Sequence, residues 1–286
     1  MTKPISPLRQ RMIDDMTMRN MALSTQYIYT AAVAKFSAFH RRSPDKLGLE
    51  DVRAYHLHLV SRKLKPSTIN PIMGGLRFFY ATTLGQRHVA DQIPYARMTD
   101  SLPAVLSREE VERLLKSIRN LKMRTAFITI YAAGLRVSEL VALTARDIDS
   151  ARMVIAIRHG KGGKDRYVML SEQLLGILRD YWKRTRPTHW LFPGPDPLQP
   201  VTTRSLQRVF HDAAEAAGLD KNVTVHTLRH SFATHLLEQK VDIRVIQGLL
   251  GHRNINSTTR YTRVAIDTIR QIQSPLEQFN LEAPPA

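Results

Sequence analysis

The chain has no cysteine among its 286 residues. Disulfides, thiolate nucleophiles and cysteine-based zinc sites are therefore excluded from any account of its stability or chemistry. Acidic side chains are also scarce: 25 Asp and Glu stand against 42 Lys and Arg, a formal charge of +17. A surplus of that size argues for a polyanionic partner, nucleic acid first, rather than for solubility alone, because such a charge invites nucleic-acid binding by itself. No stretch reaches the ~18 apolar residues of a membrane span. The opening Met1-Thr-Lys-Pro-Ile-Ser-Pro lacks the apolar run of a signal peptide. A cytoplasmic protein without membrane contact is expected.

What is present fits a globular protein. Hydrophobic residues make up 43% of the chain, enough for one large core or two of ordinary size. Residues 1–100 carry 15 basic and 7 acidic side chains, and residues 101–286 carry 27 and 18. Both halves are basic, so the polyanion is expected to touch the whole chain rather than one tail.

Apolar periodicity predicts helices over 7–20, 24–40, 50–63 and 67–84, with Ser24 and Ser67 as N-caps. Arg41, Arg42, Arg62, Lys63, Lys65 and Arg77 punctuate the ends and faces of these helices and are candidate DNA contacts. The pattern fails over 86–103, where Pro94 and Pro103 suggest a linker. Ser107-Arg-Glu-Glu110 is a capping-box pattern ahead of Val111, Leu114, Leu115 and Ile118, so a helix starts there, and more helix is expected over 124–144. Two β-prone runs, 153–157 and 167–170, flank His159-Gly-Lys-Gly-Gly-Lys-Asp165 and read as a hairpin with a basic, glycine-rich tip. Helices are expected again over 171–184, 202–217, 226–239 and 242–250, with a last one after Tyr261.

Several cations fall where element ends are expected. Arg136 follows Gly134 between apolar stretches, where a buried charge is costly unless it meets an anion. His226 and Arg229, three apart, share a face in the first turn of a helix, where free N–H groups and the dipole also favour an anion. The planar arginine fork can give two parallel hydrogen bonds to a phosphate. Gly251-His252 closes a helix, and Tyr261, a candidate hydroxyl nucleophile, follows nine residues later.

Four signatures in this order resemble those of the tyrosine recombinases, the phage-integrase and Xer-like family, over nearly the whole chain. They are Ala133-Gly-Leu-Arg136-Val-Ser-Glu-Leu140, His226-Thr-Leu-Arg229-His230, Leu250-Gly-His252 and Thr258-Thr-Arg-Tyr261. The resemblance implies that Tyr261 is the nucleophile, Arg136 and Arg229 the phosphate clamp, His252 a further donor, and His226 a proton-transfer group. It maps the family's hairpin lysine, the general acid, onto Lys161, with Lys164 as the weaker candidate and a DNA contact otherwise.

It further implies a mainly α fold with a small antiparallel β-sheet: a helical, SAM-like core-binding domain at 1–98, a linker at 99–103, and a catalytic domain at 104–286 ending in a protomer-contact helix. The two domains would form a C-shaped clamp on double-stranded DNA carrying specific sites. Strand exchange would take a homotetramer on paired sites, with room for an accessory recombinase or a DNA-bending protein. The expected setting is the bacterial cytoplasm, in association with the nucleoid. No cofactor and no metal is expected, since one ester replaces another and preorganised donors can meet the charge.

Taken singly, each residue has an ordinary explanation. A lone tyrosine is usually packed or solvated, Arg136 alone fits an ion pair with Glu139 or Asp147, and His252 alone fits a helix end. His226, His230 and His235 do not form a zinc motif, and Gly160-Lys-Gly-Gly-Lys164 lacks the phosphate-loop pattern. Leu236, Leu237, Ile243, Ile246 and Leu249 read as core packing. Three other functions stay open at this level: a type IB topoisomerase, a non-catalytic DNA-binding regulator and a metal-dependent transposase.

Overall fold

In the computed structural model, which describes residues 5–98, 103–158, 165–251 and 256–259, helices carry most of the chain. Two units separate, Met1–Asp100 and Ser101–Ala286. The first contains α1 (Pro7–Met18), α2 (Leu23–His40), α3 (Leu49–Ser61), α4 (Pro66–Phe78) and α5 (Arg87–Asp91). Their apolar faces meet in a core that includes Met12, Phe36, Met73, Phe79 and Tyr80, and the Tyr80 hydroxyl donates to the Leu47 carbonyl at 2.8 Å.

Three local expectations are corrected here. Ser24 and Ser67 are not N-caps, since each is the second residue of its helix. Pro66 enters α4 at the first helical position because its fixed φ suits that place and it has no N–H to satisfy. The start of α2 has no side-chain cap; the Gln26 amide donates to the Met21 carbonyl at 2.9 Å and ties the helix to the chain before it. Helix 67–84 ends earlier than expected, at Phe78, and continues as a π-helical turn over Phe79–Thr83.

The stretch read as linker is largely part of the first unit. Val89, Ala90 and Ile93 bury in its core. Asn70 exchanges two hydrogen bonds with the Ala96 backbone, at 2.8 and 2.9 Å. A five-residue helix such as α5 is too short to show a periodicity, which is why the sequence pattern did not reveal it.

The second unit opens with α6 (Arg108–Ser117), where the expected capping box forms: the Ser107 hydroxyl accepts from the Glu110 amide and the Glu110 carboxylate accepts from the Ser107 amide. Next comes α7 (Leu121–Ala133), then the short α8 (Val137–Val141). The helical stretch expected over 124–144 is thus two helices separated by a turn at 134–136. Gly134 stops α7 in the left-handed conformation at φ +62°, and a Cβ there would lie 2.4 Å from the Phe232 ring. Only glycine meets both demands.

A three-stranded antiparallel sheet follows in the order β1 (Ile148–Asp149), β2 (Val154–Ile157) and β3 (Arg166–Met169). The expected hairpin is β2–β3, with Ile157 opposite Arg166. The remaining elements are α9 (Glu172–Thr185), α10 (Thr203–Ala216), α11 (Val225–Glu238), α12 (Ile243–Leu250) and α13 (Asn256–Thr259). Phe127, Leu140, Ile155, Leu178, Phe192 and Phe210 are among the residues of the main core. A smaller cluster of Phe232, Ala233, Leu236, Ile246 and Leu250 seats α12 against α11. Leu236 and Ile246 thus pack as expected, with Leu237 and Leu249 at the cluster's edge. Among the described residues, no helix is long and apolar enough to cross a membrane.

Candidate active site

The breaks in the helices of the second unit create the site. Because α7 stops at Gly134, the chain turns and Arg136 becomes the N-cap of α8, its backbone extended. The third residue of α8, Glu139, folds back and its carboxylate accepts from the Arg136 amide at 2.8 Å. The same carboxylate accepts from the Arg136 guanidinium at 2.6 Å. From α11 the Arg229 guanidinium reaches within 3.7 Å of it. From β3, Arg166 meets it with two parallel hydrogen bonds, both 2.8 Å.

The same three arginines share a second target. The last carbonyls of a helix have no partner within it and form the negative end of its dipole. At the end of α12, the Leu249 carbonyl accepts from Arg166 Nε at 2.8 Å, the Leu250 carbonyl from Arg229, and the Gly251 carbonyl from Arg136 at 3.3 Å. Gly251 itself caps the helix at φ +60°, and a Cβ there would come within 3.0 Å of the Arg166 side chain. Arg229 also donates to the Gly134 carbonyl at 2.6 Å, tying the turn after α7 to α11.

Glu139 is the centre of this cluster and is only 7% exposed. Burial by itself would push its carboxyl up. The hydrogen bonds from Arg166 and from the Arg136 amide, with the Arg166 charge, outweigh burial and hold it down at about 2. It is therefore an anion at any physiological pH. Three guanidinium groups against one carboxylate leave the cluster a surplus of two positive charges. Arg229, 1% exposed, lies beneath, while Arg136 keeps some access to solvent. A positive, rigid, partly open surface of this kind suits an oxyanion such as a phosphate diester.

Of the residues singled out in the sequence, Arg136 and Arg229 are thus brought together on one carboxylate. The ion pair open to Arg136 is made with Glu139; Asp147 instead pairs with Arg158 at 2.9 Å and with Thr144. Arg229 is the fifth residue of α11, past its first turn, and points into the protein rather than to solvent. His226, exposed near the start of α11, packs edge to face against the His230 ring with centroids 4.6 Å apart. Tyr261, His252, Lys161 and Lys164, and the helix expected after Tyr261, lie outside the described residues. The described chain reaches Gly251 on one side of His252 and Thr259, two positions before Tyr261, on the other.

The remaining histidine named in the sequence, His235, is buried and its Nδ1 lies 2.8 Å from the Tyr131 hydroxyl. Among the described residues, no group of His, Asp and Glu has the arrangement to hold a metal ion.

In the first unit, Arg62, Lys63 and Lys65 form an exposed basic corner between α3 and α4, and Arg41 and Arg42 an exposed pair at the end of α2. Arg42 donates to the Lys46 carbonyl at 2.8 Å. Arg77 differs from these: it donates to the Ile93 carbonyl at 2.7 Å and lies over the Tyr95 ring, so it fastens the segment after α5.

Glu139 is visible in the sequence only as an ion-pair partner, and Arg166 not at all. A stronger signal for Glu139 was available, since an acid three residues after an N-cap is half of a capping box. Nothing local signals Arg166, whose partners stand 27 and 83 positions away.

Comparison with known proteins identifies the family. Residues 104–267 match the model of the phage integrase family, and residues 8–89 that of the phage integrase N-terminal SAM-like domain. The chain is 45% identical to y4qK of Sinorhizobium fredii, described as an integrase/recombinase, over 98% of this chain and 92% of that protein. It is 36% identical to the tyrosine recombinase XerD of Caulobacter vibrioides, over 78% of this chain and 79% of that one. Its fold resembles that of a lambda integrase dimer bound to a COC′ core site, with a TM-score of 0.72 at 16% identity over 87% of this chain and 95% of that one.

Proposed function

The chain belongs to the phage integrase family and is a tyrosine recombinase, an enzyme of site-specific DNA breaking and rejoining, and we propose that it works through Tyr261 on a phosphate held by Arg136 and Arg229. The observation that carries this reading is the cluster in which both arginines are fixed by Glu139 and by the carbonyls that lead into His252.

In this reading the Tyr261 oxygen attacks phosphorus, and the bond from phosphorus to the 5′-oxygen breaks. The products are a 3′-phosphotyrosyl link and a 5′-hydroxyl, whose proton comes from Lys161. Attack by the 5′-hydroxyl of a second duplex reverses the step, and the tyrosine recovers its proton. His226 takes up the Tyr261 proton during attack and returns it on reversal, and His252 joins the clamp. Charge gathers on the non-bridging oxygens in the transition state, where guanidinium groups already held in place need no reorganisation to meet it. One ester replaces another, so the balance requires neither nucleotide nor metal.

The first unit and the basic corner would add affinity through phosphate contacts. We further propose a tetramer on two paired sites in the bacterial cytoplasm, at the nucleoid, with the segment after Tyr261 contacting a neighbouring protomer. Domains at 1–98 and 104–286 fit that division of labour. Deleting residues from Pro275 onward is expected to impair strand exchange more than DNA binding.

The test is covalent capture. The protein is incubated in EDTA, without nucleotide, with a randomised duplex library carrying nicks that trap cleavage, and adducts surviving denaturant are sequenced. A 3′-linked adduct on Tyr261, absent from Tyr261→Phe, is expected. An adduct on another residue, or none except with divalent metal, would overturn the reading, and relaxation of one supercoiled duplex without paired sites would favour a topoisomerase.

A further inference from the structure

We propose that Arg166 is a positioning residue for cleavage: it locks strand β3, the Glu139 carboxylate and the end of α12 into one junction that sets where Arg136 and Arg229 hold the phosphate. This rests on the assignment of those two arginines to the scissile phosphate.

The geometry separates Arg166 from the clamp it supports. Its fork closes on both oxygens of Glu139, and its Nε on the Leu249 carbonyl, so three donors on one rigid plane serve three acceptors from two elements. The side chain is 11% exposed and its donors are turned into the protein. Its bonds to the same carboxylate and helix end that hold Arg136 and Arg229 place it to act on DNA through those two arginines.

Glu139 also accepts from the Arg136 amide and guanidinium, so its two oxygens take four hydrogen bonds. Removing two of them would leave the carboxylate to swing toward Arg136 and pair with it more fully, drawing that guanidinium away from an incoming phosphate. The carbonyl of Leu249 would lose its donor in the same step. Lysine cannot replace this arrangement, because a point charge on a flexible stem does not span two oxygens and a carbonyl in one plane.

The experiment uses the full chain and a nicked duplex bearing the site recovered by covalent capture. Arg166→Ala and Arg166→Lys are compared with the unaltered chain in single-turnover cleavage, with oxygen or sulfur as the bridging leaving atom, beside duplex affinity and thermal midpoint. We expect rate constants ~10–100-fold lower in both variants, the scale of an ångström-sized misplacement. The fall should be equal for oxygen and sulfur, with affinity within about threefold. A loss of amplitude matching the unfolded fraction, at an unchanged rate constant, would reduce Arg166 to a structural residue and overturn the proposal. So would a loss confined to the oxygen substrate, which would assign it to leaving-group protonation. If Arg166→Ala does not fold, Arg166→Lys decides by the same criteria. Failure of the unaltered chain to form any adduct would sink the parent reading instead, and is read independently of the variants.

Discussion

The two units use basic side chains in opposite ways. At the corner between α3 and α4, Arg62, Lys63 and Lys65 stand in solvent. In the second unit, Arg136, Arg166 and Arg229 are drawn out of water and held by Glu139 and three helix-end carbonyls. An exposed cation contributes a screened, non-directional field that falls off within about 10 Å at ordinary salt. A buried one costs desolvation, which only a complete set of acceptors offsets, and in return its position is fixed before substrate arrives. Affinity can be built from the first kind. Chemistry at a particular phosphorus atom needs the second.

The contrast breaks most sharply at Arg136. Arg136→Ala should lower the single-turnover cleavage rate by ~10²–10³, the usual loss for one transition-state donor. The melting temperature should move only a little, since Glu139 keeps both hydrogen bonds from Arg166. Adduct formation timed at saturating DNA measures this, and a rate within threefold of the unaltered chain would remove Arg136 from the clamp.

A second way to disturb the buried cluster is through its scaffold. Gly134→Ala must take a left-handed backbone and press on Phe232, and should cost about 2–4 kcal/mol in a urea titration. The same change at Gly176, inside α9 with open space where the Cβ would go, should gain about 0.5–1 kcal/mol. Equal effects at the two positions would show that the turn after α7 is not under the constraint described.

The exposed corner should give the smallest and most salt-sensitive response. Replacing Arg62, Lys63 and Lys65 together with alanine is expected to weaken duplex binding about tenfold at moderate salt. The slope of log affinity against log salt should become shallower by ~0.9 for every phosphate these side chains neutralise. Affinity titrations at several salt concentrations read this directly. An unchanged slope would take the corner out of the DNA interface.

Much of the fold was legible because its signals are local. The Ser107 capping box, the β2–β3 hairpin and the glycine stop at 251 each lie within a few residues of the structure they dictate. The misses were local competitions: a proline at the first helical position displaced Ser67 as cap, and a five-residue helix was too short to stand out in the segment read as linker. For the site, the motifs named Arg136 and Arg229. They gave no hint that Arg166 would share their carboxylate.

What the sequence by itself determined was therefore the inventory: a cation-rich, cysteine-free chain with arginines and histidines in family order, and the extent of most of its helices to within a few residues. What only the tertiary structure decided was which of those charges share an anion. Arg136 meets the Gly251 carbonyl from 115 positions away, and Arg229 meets the Gly134 carbonyl from 95. Propensity and spacing act over a few residues, whereas the cost of burying a guanidinium is settled by whatever acceptors the packed core brings beside it.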